Sequence, residues 1–125
     1  LVKIEKYATV FYLISNIKGK LEKNTSAIRC MQECFPGGSI TGAPKKRAME
    51  IIDELEQVNR EIYTGSIGYF DFRGNCDFNI VIRSIIKKGD SAFFGVGGGI
   101  TWESDEESEW IETTHKAAAL IKVLS

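Results

Sequence analysis

GSIGYFDFRGNCDFNIVIRSII, residues 65–86, sets the architecture of this chain. GSIGYFDF and CDFNIVIRSII are rich in aromatic and β-branched residues and read as two strands. Arg73-Gly74-Asn75 between them carries the turn chemistry of an antiparallel hairpin. Downstream, Gly89-Asp90 marks a second turn leading into the strand SAFFGV, followed by Gly97-Gly98-Gly99. A long helix is then expected from about Asp105 to Leu124, with Trp110, Ala117, Ala118, Ile121 and Leu124 on one side.

Upstream, YATVFYLIS reads as a buried strand, and Gly19 marks a turn soon after it. Asn24-Thr25-Ser26 offers N-cap chemistry for a helix reaching about Phe35, where Pro36-Gly37-Gly38 stops it. A second helix is expected to start at Pro44, which has no N–H to leave unpaired in a first turn. Its Ala48, Met49, Ile51, Ile52 and Leu55 recur at helical period. The order β-α-α-β-β-β-α predicts an α+β fold, an antiparallel sheet with helices on one face.

The 125 residues have room for one compact domain, and 43% hydrophobic with 26% charged residues is an ordinary globular balance. A net charge of −1 without a basic stripe argues against nucleic-acid binding. No apolar run approaches the ~20 residues of a membrane span. LVKIEKYATV has neither a basic nor an apolar leader region, so no signal peptide is expected. The first residue is not Met, and a piece of a longer chain is expected. Cys30, Cys34 and Cys76 lack partners at zinc spacing and are expected as buried free thiols of a reducing cytoplasm.

Three stretches could carry chemistry. In PGGSITGAPKK, Gly37 and Gly42 stand at the spacing of a phosphate-binding loop. Ala43-Pro44 then occupies the place of the required Lys-Ser/Thr, so a nucleotide loop is rejected. Small residues ahead of a helix can still lie against a carboxylate or a planar ring; a tight turn is the plainer alternative. In GVGGGITWES, three successive glycines are costly in backbone entropy. Close approach of backbone N–H groups to an anion would explain them, as would a kinked strand end.

The third stretch, ESDEESEWIETTHK, opens the last helix, where acidic residues complement the dipole. Glu109 and Glu112, spaced i, i+3, project from one face and could hold Mg²⁺, which prefers oxygen ligands. Glu112 and Lys116, spaced i, i+4, would equally form an ordinary helix ion pair. Arg83 lies in the apolar run NIVIRSII, where an unpaired buried charge is expensive. It faces water, pairs with an internal carboxylate, or binds the carboxylate of an acid ligand bidentately. Together these features point to a small polyanionic acid held by Arg, Gly-rich backbone and Mg²⁺.

PGGSITGAPKKRAMEIIDELE, YTGSIGYFDFRGNCDFNIVIRS, GGGI and SEWIETTHKAAA, in this order, closely resemble the chorismate-utilising enzymes. The resemblance covers nearly the whole chain. PGGSITGAPK and GGGI are most similar to component I of aminodeoxychorismate synthase, with component I of anthranilate synthase as runner-up. The resemblance implies that residues 1–125 are the C-terminal part of a chorismate-binding catalytic domain. Its fold would be an α/β sandwich of antiparallel sheets with helices outside and the active site between the sheets.

The implied activity is Mg²⁺-dependent amination of chorismate to 4-amino-4-deoxychorismate, on the route to p-aminobenzoate and folate, with ammonia from a glutamine amidotransferase partner. The alternatives are amination with pyruvate release, giving anthranilate, and a non-catalytic anion-binding domain that retains the fold. By resemblance, Tyr63 and Arg83 match positions holding the enolpyruvyl carboxylate, and Gly97 and Gly99 match backbone receiving a substrate carboxylate. Glu112 matches a Mg²⁺ ligand, with Glu109 nearby or acting through water. Lys116 matches a catalytic-motif lysine near the same carboxylate. Ser39, Thr41 and Gly42 match the wall that lies against the ring.

Tyr12 stands where most relatives carry a His credited with acid–base or positioning work. A phenol of pKa ~10 is a poor proton acceptor at neutral pH, which disfavours the pyruvate-releasing branch. The family's first Mg²⁺-binding Glu and the nucleophilic Lys of aminodeoxychorismate synthases would lie upstream of these residues. The fragment alone is therefore expected to be inactive.

Overall fold

A computed structural model describes residues 2–6 and 11–125, with the backbone alone at Tyr12. The elements run β1 (Val2–Lys6), β2 (Phe11–Ser15), α1 (Ala27–Cys34), α2 (Gly38–Thr41), α3 (Lys45–Leu55), β3 (Gly68–Phe70), β4 (Cys76–Phe78), β5 (Ile86–Lys88), β6 (Ser91–Phe93) and α4 (Glu106–Leu124). The mixture of helices and antiparallel strands is α+β. The first half of the expected strand YATVFYLIS, residues 7–10, lies outside the described residues. Its second half is β2, which pairs antiparallel with β1 from Val2↔Ser15 to Lys6↔Phe11.

Instead of one continuous sheet, the described strands form three two-stranded sheets: β1-β2, β3-β4 and β5-β6. The hairpin at Arg73-Gly74-Asn75 forms as expected, with Gly74 at φ 87°. Asp71 is its hub: the carboxylate accepts from the Arg73 and Asn75 amides at 2.9 and 2.8 Å, and from the Asn75 and Arg73 side chains. Beyond Phe78 the ladder continues irregularly, with Asn79 N–H donating to Ile67 O, Val81 N–H to Gly65 O and Thr64 N–H to Val81 O. The expected strand to residue 86 breaks at Arg83, whose φ of 54° is left-handed and incompatible with a strand. The chain re-enters pairing only at Ile86.

The helices start where their caps place them. Ser26 Oγ accepts from Arg29 N–H at 3.1 Å and opens α1. Asp105 accepts from Ser108 N–H at 2.9 Å and opens α4, with Glu106, Glu107 and Glu109 in the positive first turn. Pro44 is the N-cap of α3 rather than its first helical residue. The unpredicted turn α2 fills the stretch between the two expected helices.

Among the described residues the core is small: only Val81 and Leu120 are buried hydrophobics. The apolar stripe expected on α4 does not turn inward, since Trp110, Ile121 and Leu124 are exposed. The inward side is Glu109, Thr113, Lys116, Ala117 and Leu120, all half-buried or buried at i, i+4, i+7, i+8, i+11. Likewise α3 turns Lys45, Ala48 and Ile52 inward and leaves Met49, Ile51 and Leu55 exposed. The cysteines are free but not buried as expected: Cys34 and Cys76 are exposed and Cys30 half-buried. So small a core cannot enclose them. No described helix is long and apolar enough to cross a membrane.

Candidate functional site

The glycine run after β6 meets the inward stripe of α4. A Cβ placed on Gly98 would lie 3.0 Å from Glu109 Oε2, 3.8 Å from Thr113 Oγ1 and 4.0 Å from Lys116 Nζ. Lys116 Nζ donates to Gly97 O at 3.2 Å, so the loop is tied to the helix at the preceding residue as well. Lys116 also forms the i, i+4 ion pair with Glu112 at 2.5 Å. The Lys116 ammonium holds the Glu112 carboxyl below its usual range, chiefly by hydrogen bonding and then by charge.

Glu109 is held differently. Its Oε1 accepts from Ser104 Oγ at 2.6 Å, while Oε2 is the atom nearest Gly98. Ser104 Oγ in turn accepts from Thr101 N–H at 3.0 Å. One serine thus links the end of the glycine loop to a carboxylate on α4.

Tyr63 closes the other side. A Cβ on Gly95 would fall 2.3 Å from Tyr63 Cγ and 2.4 Å from Cδ1, so the ring lies flat against backbone that no side chain covers. The phenol oxygen is 3.2 Å from the Cβ position of Gly97. The ring is delivered by strained backbone: Glu61 and Thr64 have φ of 50° and 64°, and Thr64 is β-branched. Thr64 Oγ1 donates to Tyr63 O at 2.5 Å. Arg83, also left-handed, donates from Nη1 to Lys116 O at 3.4 Å, which brings its guanidinium beside α4 and leaves it exposed. No internal carboxylate pairs with Arg83 among the described contacts.

Tyr63, Arg83, Gly97, Glu109, Glu112 and Lys116 therefore converge at one corner. Gly99 is in the same loop, with no atom within 4 Å of its Cβ position. Ser39, Thr41 and Gly42 belong to the α2 turn, which reaches the hairpin through Gly37 against Ile80. Thr41 Oγ1 donates to Gly37 O at 3.3 Å, and Gly42, at φ 116°, closes the turn against Ala48. No hydrogen bond among the described residues links these three to the other six. Tyr12 pairs through its backbone with Glu5, and its side chain lies outside the described residues.

Sequence reasoning missed Gly95, Gly98, Ser104 and Thr113. The glycine run advertised close approach, but not which glycine is approached. Nothing in ESDEESE distinguishes Ser104 from Ser108, which sits in the first turn of α4 and donates to the cap residue Asp105.

Mg²⁺ takes hard oxygen donors and keeps several positions for water and substrate. Glu109 and Glu112 supply two carboxylates at i, i+3, and their chemistry fits that ion. Among the described residues no cluster of three or more His, Cys, Asp or Glu stands ready to enclose a metal.

The model of the chorismate binding enzyme family matches residues 1–122. The Synechocystis protein named anthranilate synthase component I-like is 45% identical over 124 residues, 99% of this chain and 26% of its own length. Aminodeoxychorismate synthase component 1 of Bacillus subtilis is 46% identical over 121 residues, 97% of this chain and 26% of its own. Anthranilate synthase component 1 of Aquifex aeolicus is 42% identical over 123 residues, 98% and 25%. The chain thus spans about a quarter of the length of these relatives. With residues 1–122 of the 125 matched by the family model, this chain belongs to the chorismate binding enzyme family.

Proposed function

We propose that this chain is one part of a catalytic domain that aminates chorismate, and that its own corner holds the substrate's two carboxylates. The observation that carries this reading is the convergence of Tyr63, Arg83, the Gly97 loop and Lys116 with Glu109 and Glu112. A dianionic ligand needs both a cationic and a backbone-donor side. Arg83 offers a guanidinium fork, and the exposed amides of the 97–99 loop need no side chain to move aside. Tyr63 contributes a flat ring and a hydroxyl donor. Lys116 and Arg83 both stand at α4, so positive charge faces the same space. Three of the four left-handed non-glycine residues described, Glu61, Thr64 and Arg83, flank this corner and fit a site that stores backbone strain for binding.

Bound at Glu109 and Glu112, Mg²⁺ would supply Lewis-acid chemistry to a substrate carboxylate and a departing hydroxyl. Lys116 keeps Glu112 ionised, and Ser104 fixes the direction of Glu109. Ser39, Thr41 and Gly42 form a ring-facing wall in this reading, and α2 would come to that space through contacts supplied elsewhere in the domain. The many exposed apolar residues, among them Phe72 and Trp102, are the surface such a domain would cover. A sandwich of antiparallel sheets is the completed fold we propose, because three short hairpins with two buried residues leave their faces unpaired.

Within the family we favour formation of 4-amino-4-deoxychorismate, with ammonia from a glutamine amidotransferase, on PGGSITGAPK, GGGI and the Tyr12 substitution. Anthranilate formation is the second reading, favoured by the names of the Synechocystis and Aquifex relatives. The test uses the full-length protein containing this chain, incubated with chorismate, Mg²⁺ and ammonia, with pyruvate and product mass followed together. Aminated product without pyruvate is expected. Anthranilate with matching pyruvate would move the assignment to the second branch, and no chorismate turnover would sink the catalytic reading.

A further inference from the structure

Among the described carboxylates of the site, Glu109 is the one oriented by a side-chain hydroxyl, which holds Oε1 and leaves Oε2 toward the glycine loop. A free glutamate at the start of a helix samples several rotamers, and ordering one costs entropy. Here Ser104 Oγ donates to Oε1 at 2.6 Å, a short charge-assisted bond. The serine is itself oriented: its oxygen accepts from Thr101 N–H at 3.0 Å, and its own N–H donates to Thr101 O at 3.2 Å. The hydroxyl proton is left to Glu109. Oε2 is thereby turned toward Gly98, 3.0 Å from where a Cβ on that residue would stand. Both Ser104 and Glu109 are half-buried, whereas Glu112 is exposed and, among the described residues, held by Lys116.

From this geometry we infer that Ser104 is a positioning residue that aims Glu109 Oε2 into the space beside the glycine loop and so sets the metal affinity of the carboxylate pair. This rests on the proposed metal role of Glu109. Partners that orient a metal-binding carboxylate are typically worth 10- to 100-fold in affinity. The coupling also runs outward: anything that moves Thr101, at the end of the loop expected to touch substrate carboxylate, moves Ser104 and hence Glu109.

The experiment is Mg²⁺ titration of the metal-free full-length protein by calorimetry, with and without chorismate and without ammonia, repeated with Mn²⁺ by electron paramagnetic resonance. Four variants are compared: Ser104→Ala, Ser104→Thr, Glu109→Gln and the double variant Ser104→Ala/Glu109→Gln. Ser104→Ala is expected to weaken binding about 10- to 100-fold. Ser104→Thr, which keeps the hydroxyl, should restore most of it. The double variant should bind no more weakly than Glu109→Gln, because Ser104 acts through that carboxylate. If Glu109→Gln loses affinity while Ser104→Ala stays within twofold of wild type, the role of Ser104 is overturned and the metal site stands. A further, additive loss in the double variant also overturns it, since Ser104 would then act through the fold. If Glu109→Gln leaves binding unchanged, or the wild type binds neither ion, the metal reading and this inference fall together.

Discussion

Gly95→Ala is the sharpest perturbation the site allows. The added Cβ would stand 2.3, 2.4 and 2.7 Å from Tyr63 Cγ, Cδ1 and Cδ2. Carbon atoms settle at roughly 3.5–4.0 Å, so the ring must retreat by about 1 Å or more. The backbone is not free to carry it away, because Tyr63 N–H is bonded to Arg60 O at 2.9 Å and Thr64 N–H to Val81 O at 2.8 Å, so the ring itself must leave its place. Overpacking of this kind costs about 1–3 kcal/mol of stability. Displacing a substrate-positioning group by about 1 Å costs on the order of 100-fold in rate, equivalent to about 2.7 kcal/mol. The assay is kcat/KM for chorismate together with thermal unfolding, both on the full-length protein. Gly99→Ala is the stability control, since nothing lies within 4 Å of its Cβ position and its backbone is not left-handed. Gly95→Ala should lower both readouts, and Gly99→Ala should leave the unfolding temperature unchanged. Wild-type stability and kcat/KM in Gly95→Ala would refute the packing of Tyr63 on this backbone.

Two further perturbations follow from the same contacts. Gly42→Ala forces a side chain into φ 116°, ψ −176°, a region only glycine readily adopts, with the Ala48 methyl at 3.1 Å, and should destabilise the full-length protein by about 1–3 kcal/mol in chemical denaturation. The carboxyl of Asp71 is lowered below its ordinary 3.8, first by the Asn75 side chain and amide and then by Arg73. Its contribution is therefore present above pH 3.8 and lost as pH falls through the depressed folded value. Asp71→Asn should accordingly be less stable than wild type at neutral pH, with the gap closing in acid below 3.8; a gap independent of pH would show that the charge is irrelevant to the turn.

What was legible in the residues was local. Ser26 and Asp105 name helix starts because a short side chain beside the orphan amides is sufficient, whatever packs elsewhere. Gly74 and Gly89 name hairpins for the same reason: both sit at positive φ, at 87° and 62°. The motif blocks identified the family, and the acidic pair, the glycine run and Arg83 were each visible as unusual. What the sequence could not decide was orientation. Periodicity placed Trp110, Ile121 and Leu124 on the inner side of α4, yet Glu109, Thr113 and Lys116 turn inward there, because the glycine loop packs on that side and Leu120 anchors it. Polar residues on an inner face look like a solvated face until the partner loop is present. The break at Arg83 is equally invisible in NIVIRSII, since an apolar run is compatible with any strand. Only the tertiary structure shows the left-handed turn and the short hairpins on either side of it. Close contacts decided the rest: Gly95 carries Tyr63, and Ser104 rather than Ser108 carries Glu109, because those distances depend on how distant segments meet and not on their spacing along the chain.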